Sequence, residues 1–270
     1  MTDSLPVLLG KRFLQRRDAK AIQHPNGAWT PVTVSRDNDT LVPWKLADLE
    51  AHVAGKATMG HYLVGLDDTC KLFAFDLDLT KEGSWISLKE DEIMGGFQPI
   101  NPREAWLTKD HPANEWLGLQ LRCMAEALAM KTVRLYDGDI QVAISYSGGK
   151  GLHVYGFFAE PVPASDARGT AREILNSFHC FEPTRGENFF KHTGGVYQNI
   201  DIEVFPKQDS LEGKKLGNLM ALPLGIHAKT GRKKFFLDCR VGYNKYLKLD
   251  PMTALEGNMP PWGGTYEDAL

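Results

Sequence analysis

Two aspartates one residue apart, Asp76 and Asp78, lie within an otherwise apolar stretch, residues 71–79. Side chains alternate between the two faces of a β-strand, so both carboxylates point to one face and the apolar neighbours point to the other. Carboxylates held this close raise each other's pKa unless a cation neutralises them, and a hard divalent ion with oxygen ligands is the usual partner. The stretch therefore predicts a Mg²⁺ or Mn²⁺ site. The alternative is a half-buried edge strand whose acids face water.

A second pair of acids, Asp201 and Glu203, lies in residues 196–205. The β-branched and aromatic residues of this stretch predict another strand, and the spacing of the two acids again places them on one face. A third ligand for two metal ions would come from this strand, from either Asp201 or Glu203.

A glycine-rich turn is predicted between strands at residues 140–146 and 152–158, and it contains Ser147, Gly149 and Lys150. Glycines let the backbone approach a ligand closely and direct its amide groups into a concavity, while the lysine adds a cation. This environment suits a phosphate, and His153 follows two residues after the turn. A plain hairpin turn is the alternative, but it leaves the position of Lys150 unexplained.

A local excess of positive charge follows the second acidic strand. Residues 207–234 contain seven Lys or Arg against two acids, whereas the whole chain has a net charge of −3. The chain as a whole would not attract nucleic acid, but this segment could hold a polyanion. The alternative is a solvated lysine-rich loop.

The elements that must position these residues alternate between strand and helix. Apolar spacing predicts helices at residues 43–54, 114–130 and 165–178, with a further strand at 60–64. The order strand, helix, strand indicates an α/β or α+β domain. We expect a hairpin within residues 11–35, a long surface excursion at 80–112, a loop at 182–195 and an irregular tail over the last thirty residues.

Composition restricts the class of protein. The 270 residues include no apolar run of the about 18 that span a membrane, and residues 1–6 lack the features of a signal peptide. The four cysteines are more than fifty residues apart, which argues against a zinc site or a disulfide framework. These features predict a soluble, cytoplasmic protein with no membrane partner.

Taken in order, these motifs resemble the three catalytic motifs of the archaeo-eukaryotic primase superfamily. The matching segments are Asp76-Leu77-Asp78, then Ser147 through His153, then an acid within residues 200–204. A basic Pro-Leu-x-x-His-x-Lys-Thr-Gly-Arg segment follows at residues 223–232. The resemblance extends from about residue 10 to residue 235. It is most specific to the primase-polymerases of mobile elements and of CRISPR or conflict loci, which share a segment like Glu203-Val-Phe-Pro-Lys-Gln.

The resemblance implies an α+β fold, with an RRM-like βαββαβ catalytic core packed against an N-terminal α/β unit. We expect one catalytic domain over residues 1–270, with sub-modules at about 1–70 and 71–240 and a tail at 241–270. It also implies two-metal nucleotidyl transfer. The expected catalytic or metal residues are Asp76, Asp78, His153 and Glu203, with Asp201 as the alternative third ligand. The expected nucleotide-binding residues are Ser147, Gly149, Lys150, His153, Lys229 and Arg232.

The implied activity is that of a DNA primase, a DNA polymerase or both, with Mg²⁺ or Mn²⁺ as cofactor and an NTP or dNTP as substrate. The implied partners are single-stranded or primed DNA and a helicase or another replication protein of a CRISPR locus or mobile element. Two other functions use the same residues differently. A metal-dependent nuclease would use the acids to activate water, and a DNA-binding module of a replication initiator would carry out no catalysis.

Overall fold

Helices and strands are interspersed along the whole chain of this computed structural model, which describes residues 3–35, 37–81, 84–86, 98–193, 199–238 and 248–257. This mixture confirms the predicted α+β class. In chain order the elements are α1 (Leu5–Phe13), β1 (Ala21–Gln23), β2 (Trp29–Pro31), β3 (Thr33–Ser35), β4 (Asn38–Leu41), α2 (Leu46–Val53), β5 (Met59–Tyr62), β6 (Thr69–Leu79), β7 (Ser84–Ile86), β8 (Gln98–Ile100), α3 (Pro102–Leu107), α4 (Asn114–Leu135), β9 (Gln141–Tyr146), β10 (Gly151–Pro163), α5 (Ala164–Asn176), β11 (Phe181–Pro183), β12 (Phe189–His192), β13 (Ile200–Phe205), β14 (Leu219–Ala221), β15 (Phe235–Phe236) and α6 (Pro251–Glu256).

A seven-stranded sheet forms the centre of the molecule, with strands in the order β11-β12-β13-β6-β10-β9-β15. All neighbouring strands run antiparallel. Four of its strands and the two longest helices occur along the chain in the order β6, α4, β9, β10, α5 and β13, with shorter elements between some of them. In the sheet these four strands lie in the order β13-β6-β10-β9. This is the split βαβ arrangement, so the expected RRM-like core is confirmed.

The strand β6 shows how the sequence separates core from site. Its residues Phe73, Phe75 and Leu77 are fully buried on one face, and the helices α4 and α5 pack against the central sheet. Asp76 and Asp78 alternate with them and therefore point to the opposite face. At the far end of that opposite face, the helix α1 covers the sheet through Phe13, whose ring contacts those of Tyr155 and Phe157.

A second, four-stranded sheet has the order β14-β5-β1-β2. Three of its strands come from the N-terminal region, but β14 comes from residues 219–221 and pairs with β5. A strand from the second half of the chain therefore completes the N-terminal sheet. The expected division into ranges 1–70, 71–240 and 241–270 stays a prediction. The strand β14 belongs to the second range by sequence but pairs with a strand of the first.

Several elements differ from the sequence-based expectations. The helix α1 was not predicted, because its nine residues include a proline and a glycine; the proline lies in the first turn, where helices tolerate it. The range 182–195 contains β11 and β12 rather than only a loop, and the excursion at 80–112 contains β7, β8 and α3. The expected irregular tail contains α6, which Asp250 caps through Thr253. Residues 196–198, 241–247 and 258–270, parts of the predicted strand and tail, lie outside the described residues.

Within the described part of the chain, none of the helices combines the length and apolar character needed to cross a membrane.

Candidate active site

The pairing of three strands brings the predicted acids together. In the pairing of β13 with β6, Glu203 lies opposite Asp76 and Asp201 lies opposite Asp78. On the other side of β6, the β10 residue His153 lies opposite Asp76. Directly paired residues of antiparallel strands point to the same face, with Cβ atoms about 5 Å apart. We call this surface, which carries Asp76, Asp78, Asp201 and Glu203, the acidic face.

Each acid on this face has a cationic or imidazole partner. The Oδ2 atom of Asp78 lies 2.6 Å from Lys150 Nζ, and the Oδ1 atom of Asp76 lies 3.3 Å from His153 Nε2. Glu203 forms an ion pair with Lys207, which follows four residues later. Asp201 Oδ1 lies 3.7 Å from Lys191 Nζ, so this pair is the loosest of the four.

Burial and mutual repulsion disturb the protonation of the acids. The pKa of Asp78 is raised to about 7, chiefly by burial and then by the charge of Asp76, against the opposing effect of Lys150. Burial also acts to raise the pKa of Asp76, but His153, Lys150 and Lys207 together outweigh it, so this pKa is lowered. Burial raises the pKa of Glu203 despite its pairing with Lys207. The acidic face is therefore short of positive charge even with its own cations in place.

The donor set of this face fits a hard divalent cation. Asp76, Asp78 and Glu203 offer carboxylate oxygens, the ligands that Mg²⁺ and Mn²⁺ prefer. Among the described residues, Asp76 Oδ1 is buried without a hydrogen bond of acceptable geometry. The same described residues contain no group of three His, Cys, Asp or Glu side chains gathered closely enough to enclose a metal ion. The carboxylate oxygens are thus suitable ligands for the ion, but in this structure each acid is paired with a cationic or imidazole side chain.

The glycine-rich turn between β9 and β10 lies beside Asp78. The hydroxyl of Ser147 accepts hydrogen bonds from the amides of Gly149 (3.2 Å) and Gly151 (3.3 Å), so it stabilises the turn from within. Gly151 pairs with Asp78, and a Cβ at Gly151 would lie 1.7 Å from the carbonyl oxygen of Leu77. Only glycine allows the turn to approach β6 this closely.

A hydrogen-bonded row fixes the ring of His153. The hydroxyl of Tyr155 lies 2.9 Å from His153 Nδ1 and 3.1 Å from Ser145 Oγ. With Ser145 donating to Tyr155 and Tyr155 donating to Nδ1, the Nε2–H of His153 faces Asp76. Neither Ser145 nor Tyr155 belongs to the motifs that predicted the site. A signal for Tyr155 was available, because it follows His153 by two residues on the same face of a strand.

Of the two predicted nucleotide-binding residues Lys229 and Arg232, only Arg232 lies at the glycine-rich turn. Arg232 donates to the hydroxyl of Tyr146 at 3.2 Å and to carbonyls at the end of α3, which brings it to the glycine-rich turn. Lys229 is exposed, and its side chain lies against Gly27 in the turn between β1 and β2. It therefore lies on the N-terminal sheet, and the acids have closer cations.

Two neighbours of Lys229, which we did not predict as site residues, contact the glycine-rich turn instead. Thr230 Oγ1 donates to the carbonyl of Gly148 at 2.6 Å. His227 lies beside Gly149, and its Nδ1 accepts from the amide of Thr230 at 3.2 Å. Burial, followed by the charges of Lys234 and Lys229, lowers the pKa of His227 to about 4. The ring is thus neutral at pH 7, with Nε2–H as a donor beside the turn.

Comparison with known proteins identifies the family. Residues 31–248 match the model of the family described as "TOTE conflict system, Archaeo-Eukaryotic Primase domain". No curated protein sequence matches the chain. Among solved structures, the chain is similar to the polymerase domain of Ligase D from Mycobacterium tuberculosis in complex with DNA, with 15% identity and a TM-score of 0.45 over 93% of this chain and 85% of that chain. Since the family model spans most of the sequence, the chain belongs to the archaeo-eukaryotic primase domain family of TOTE conflict systems.

Proposed function

We propose that this protein is a template-dependent nucleotidyltransferase that acts as a DNA primase, a DNA polymerase or both, with two divalent metal ions as cofactors. The family supports nucleotidyl transfer in general. The observation that carries the specific proposal is the row formed by Glu203, Asp76 and His153 across three strands, next to a glycine-rich turn that holds Lys150.

In this proposal Asp76, Asp78 and Glu203 hold Mg²⁺ or Mn²⁺, with Asp201 on the same face as the alternative third ligand. The bound ions would stabilise charge on the attacking 3′-oxygen and on the leaving pyrophosphate oxygen. His153 donates from Nε2 into the site because Tyr155 fixes its ring. Its position beside Asp76 suits a donor to a phosphate oxygen of the incoming NTP or dNTP.

The triphosphate needs donors away from the metal ligands. The turn at residues 147–151 would offer the hydroxyl proton of Ser147 and the ammonium of Lys150. The amide of Gly149 already donates to Ser147 Oγ, so Gly149 would shape the turn that holds these two donors. Arg232 braces the turn through Tyr146 and the end of α3, so we assign it to orientation of the turn. Lys229, which lies on the N-terminal sheet, is better placed for the phosphates of a DNA template than for those of the nucleotide.

The proposed macromolecular partner is single-stranded or primed DNA. Of the basic residues between 207 and 234, the exposed lysines would hold it, namely Lys214, Lys215, Lys229 and Lys233, whereas Lys234 is buried. Such binding should weaken steeply with salt, because each neutralised phosphate releases counterions. A helicase or another replication protein of a conflict system, CRISPR locus or mobile element completes the proposal, and we place the reaction in the cytoplasm.

Primer extension and de novo synthesis on single-stranded DNA test this function. The variant with Asp76→Asn and Asp78→Asn keeps the size of both side chains but loses their charge. We expect product to fall at least about hundredfold. The control Asp166→Asn changes an exposed acid in the first turn of α5 and should retain wild-type activity.

Equal synthesis by the wild type and the double variant would rule the proposal out. The same assay separates the other two functions. Shortened DNA strands would indicate a metal-dependent nuclease. DNA binding that survives EDTA, without any nucleotide turnover, would indicate a non-catalytic module of a replication initiator.

A further inference from the structure

Lys207 is aimed at the third acid by its neighbours. Its ammonium pairs with Glu203 and lies over two aromatic rings, 4.5 Å from the centroid of Phe205 and 5.4 Å from that of Phe189. The faces of aromatic rings attract cations. Two rings and one carboxylate therefore favour a single position of this ammonium, at the edge of the acidic face.

The backbone of Lys207 is held as firmly as its side chain. Its N–H donates to Asn218 Oδ1 at 2.9 Å. Its carbonyl accepts from Asn188 Nδ2 at 3.0 Å and from an Arg168 guanidinium nitrogen at 3.4 Å. These partners come from three separate segments of the chain, so the surrounding fold fixes the position of the Lys207 backbone and the direction of its side chain.

A divalent ion at Glu203 could not share its position with this ammonium. Like charges a few Å apart repel strongly at the edge of a protein, so one cation must leave when the other binds. Lys207 keeps 29% of its side chain exposed and is not enclosed, which gives it room to move. Asp78 has the same arrangement, with Lys150 as its partner.

We propose that Lys207 is a resident counter-ion of the site: it holds Glu203 in the metal-free protein, gives way to a divalent ion, and then pairs with a phosphate of the bound nucleotide. This inference rests on the proposed function and adds a nucleotide-binding residue to it. It explains why the acids are individually paired in the absence of ions. It also makes binding of the metal ion and of the triphosphate mutually supportive. The metal ion displaces the ammonium of Lys207 from Glu203, and a phosphate of the nucleotide then neutralises that ammonium.

Electron paramagnetic resonance of free Mn²⁺, titrated with protein in the absence of nucleotide, tests the inference without any need for activity. Lys207→Met keeps the apolar stem and removes the charge. We expect this variant to bind Mn²⁺ about tenfold more tightly than the wild type, because no internal cation has to be displaced. With Mn²⁺ saturating, the same variant should bind a non-hydrolysable nucleotide triphosphate about tenfold more weakly.

Lys131→Met is the matched control, because the Lys131 ammonium also lies over an aromatic ring, 5.4 Å from the centroid of Phe178, but on the helix α4 and not on the acidic face. It should leave the affinity for Mn²⁺ unchanged, and an equal gain in both variants would overturn the assignment to Lys207. Lys207→Gln serves as a second variant with the same expected direction should Lys207→Met not fold.

Two results separate the inference from the function on which it rests. If the wild type and Lys207→Met bind Mn²⁺ equally, and Asp76→Asn abolishes that binding, the counter-ion role is wrong and the metal-dependent function stands. If neither the wild type nor Lys207→Met binds Mn²⁺, both are wrong.

Discussion

The hydroxyl of Tyr155 lies between two polar side chains, Ser145 and His153, on the acidic face of the central sheet. Burial raises the pKa of this phenol, so it keeps its proton at any working pH and remains a donor. A neutral, fully buried donor holds an imidazole in one orientation without adding charge beside Asp76. The position of the His153 ring is therefore set by a residue that need not touch the substrate.

Removal of this hydroxyl should affect activity more than folding. In Tyr155→Phe the ring stays in place, but His153 Nδ1 loses its donor and the imidazole can turn away from Asp76. We expect kcat for primer extension to fall about tenfold or more with little change in KM for DNA. The free energy of unfolding should fall by about 1–3 kcal/mol, because a buried acceptor loses its partner.

Tyr136→Phe is the control for this change. Tyr136 follows α4, and its hydroxyl donates to Glu173 on α5 at 2.8 Å, on an exposed part of the helical layer. It should retain wild-type kinetics. Equal activity of Tyr155→Phe and the wild type would show that His153 does not depend on the hydrogen-bonded row.

At the level of elements, the close approach of β10 to β6 places the glycine-rich turn beside the acids. A Cβ on Gly151 would lie 1.7 Å from the carbonyl oxygen of Leu77, which is backbone and cannot move aside. Gly151→Ala should therefore force the two strands apart where Gly151 pairs with Asp78. We expect the free energy of unfolding, measured by urea denaturation, to fall by about 3 kcal/mol or more.

Gly169→Ala makes the same chemical change where there is space. Gly169 lies in α5, is exposed, and has no atom within 4 Å of an added Cβ. Alanine favours helix, so this variant should be more stable by up to about 1 kcal/mol. A similar, small effect of both substitutions would mean that the two strands lie farther apart than the structure shows.

The sequence predicted the elements that have a strong local pattern. The alternation of acids and apolar residues identifies β6 and the later part of β13, and the stripe of Leu117, Leu121 and Leu128 identifies α4. It did not predict β11, β12 or β14, which have three or four residues each. Strands this short carry too few residues for a period of two to be distinguished from a loop.

The site was predictable to the extent that its residues are close in the sequence. The segment from Ser147 to His153 and the pair Asp76 and Asp78 are local motifs. The ion pair of Lys207 with Glu203 is also local in sequence, but its importance depends on rings and amides from distant segments. Such long-range contacts follow from strand pairing, which a local pattern does not specify.

At the scale of the whole molecule, the buried basic side chains of His52 and Lys234 lie where the N-terminal sheet meets the segment that leads to β15. The Nε2 atom of His52, on α2, donates to the carbonyl of Pro223 at 2.8 Å, and its Nδ1 accepts from the amide of Met59 at 3.1 Å. Lys234 Nζ donates to the carbonyl of Leu222 at 3.0 Å. One imidazole thus joins α2, β5 and the segment after β14, and it can do so only while it is neutral.

This requirement makes the stability of the protein sensitive to acid. Burial, followed by the charge of Lys234, lowers the pKa of His52 to about 4 from an ordinary value of 6.5, and burial lowers the pKa of His61 to about 3. Below about pH 6.5 these histidines are protonated in the unfolded chain but remain neutral in the folded chain. Their contribution to the free energy of unfolding is therefore complete above that pH and is lost as the pH falls towards 4.

Urea denaturation at pH 7.5, 6 and 5 should therefore show a free energy of unfolding that declines with the pH. Full protonation of His52 alone should cost about 3 kcal/mol. His52→Gln keeps a donor and an acceptor but cannot take up a proton, so it should lower stability at pH 7.5 and flatten the decline. His24→Gln, which removes an exposed imidazole, is the control and should keep the wild-type decline. A decline as steep in His52→Gln as in the wild type would show that the junction of the two sheets does not depend on a neutral His52, and that other buried groups, His61 first among them, cause the acid sensitivity.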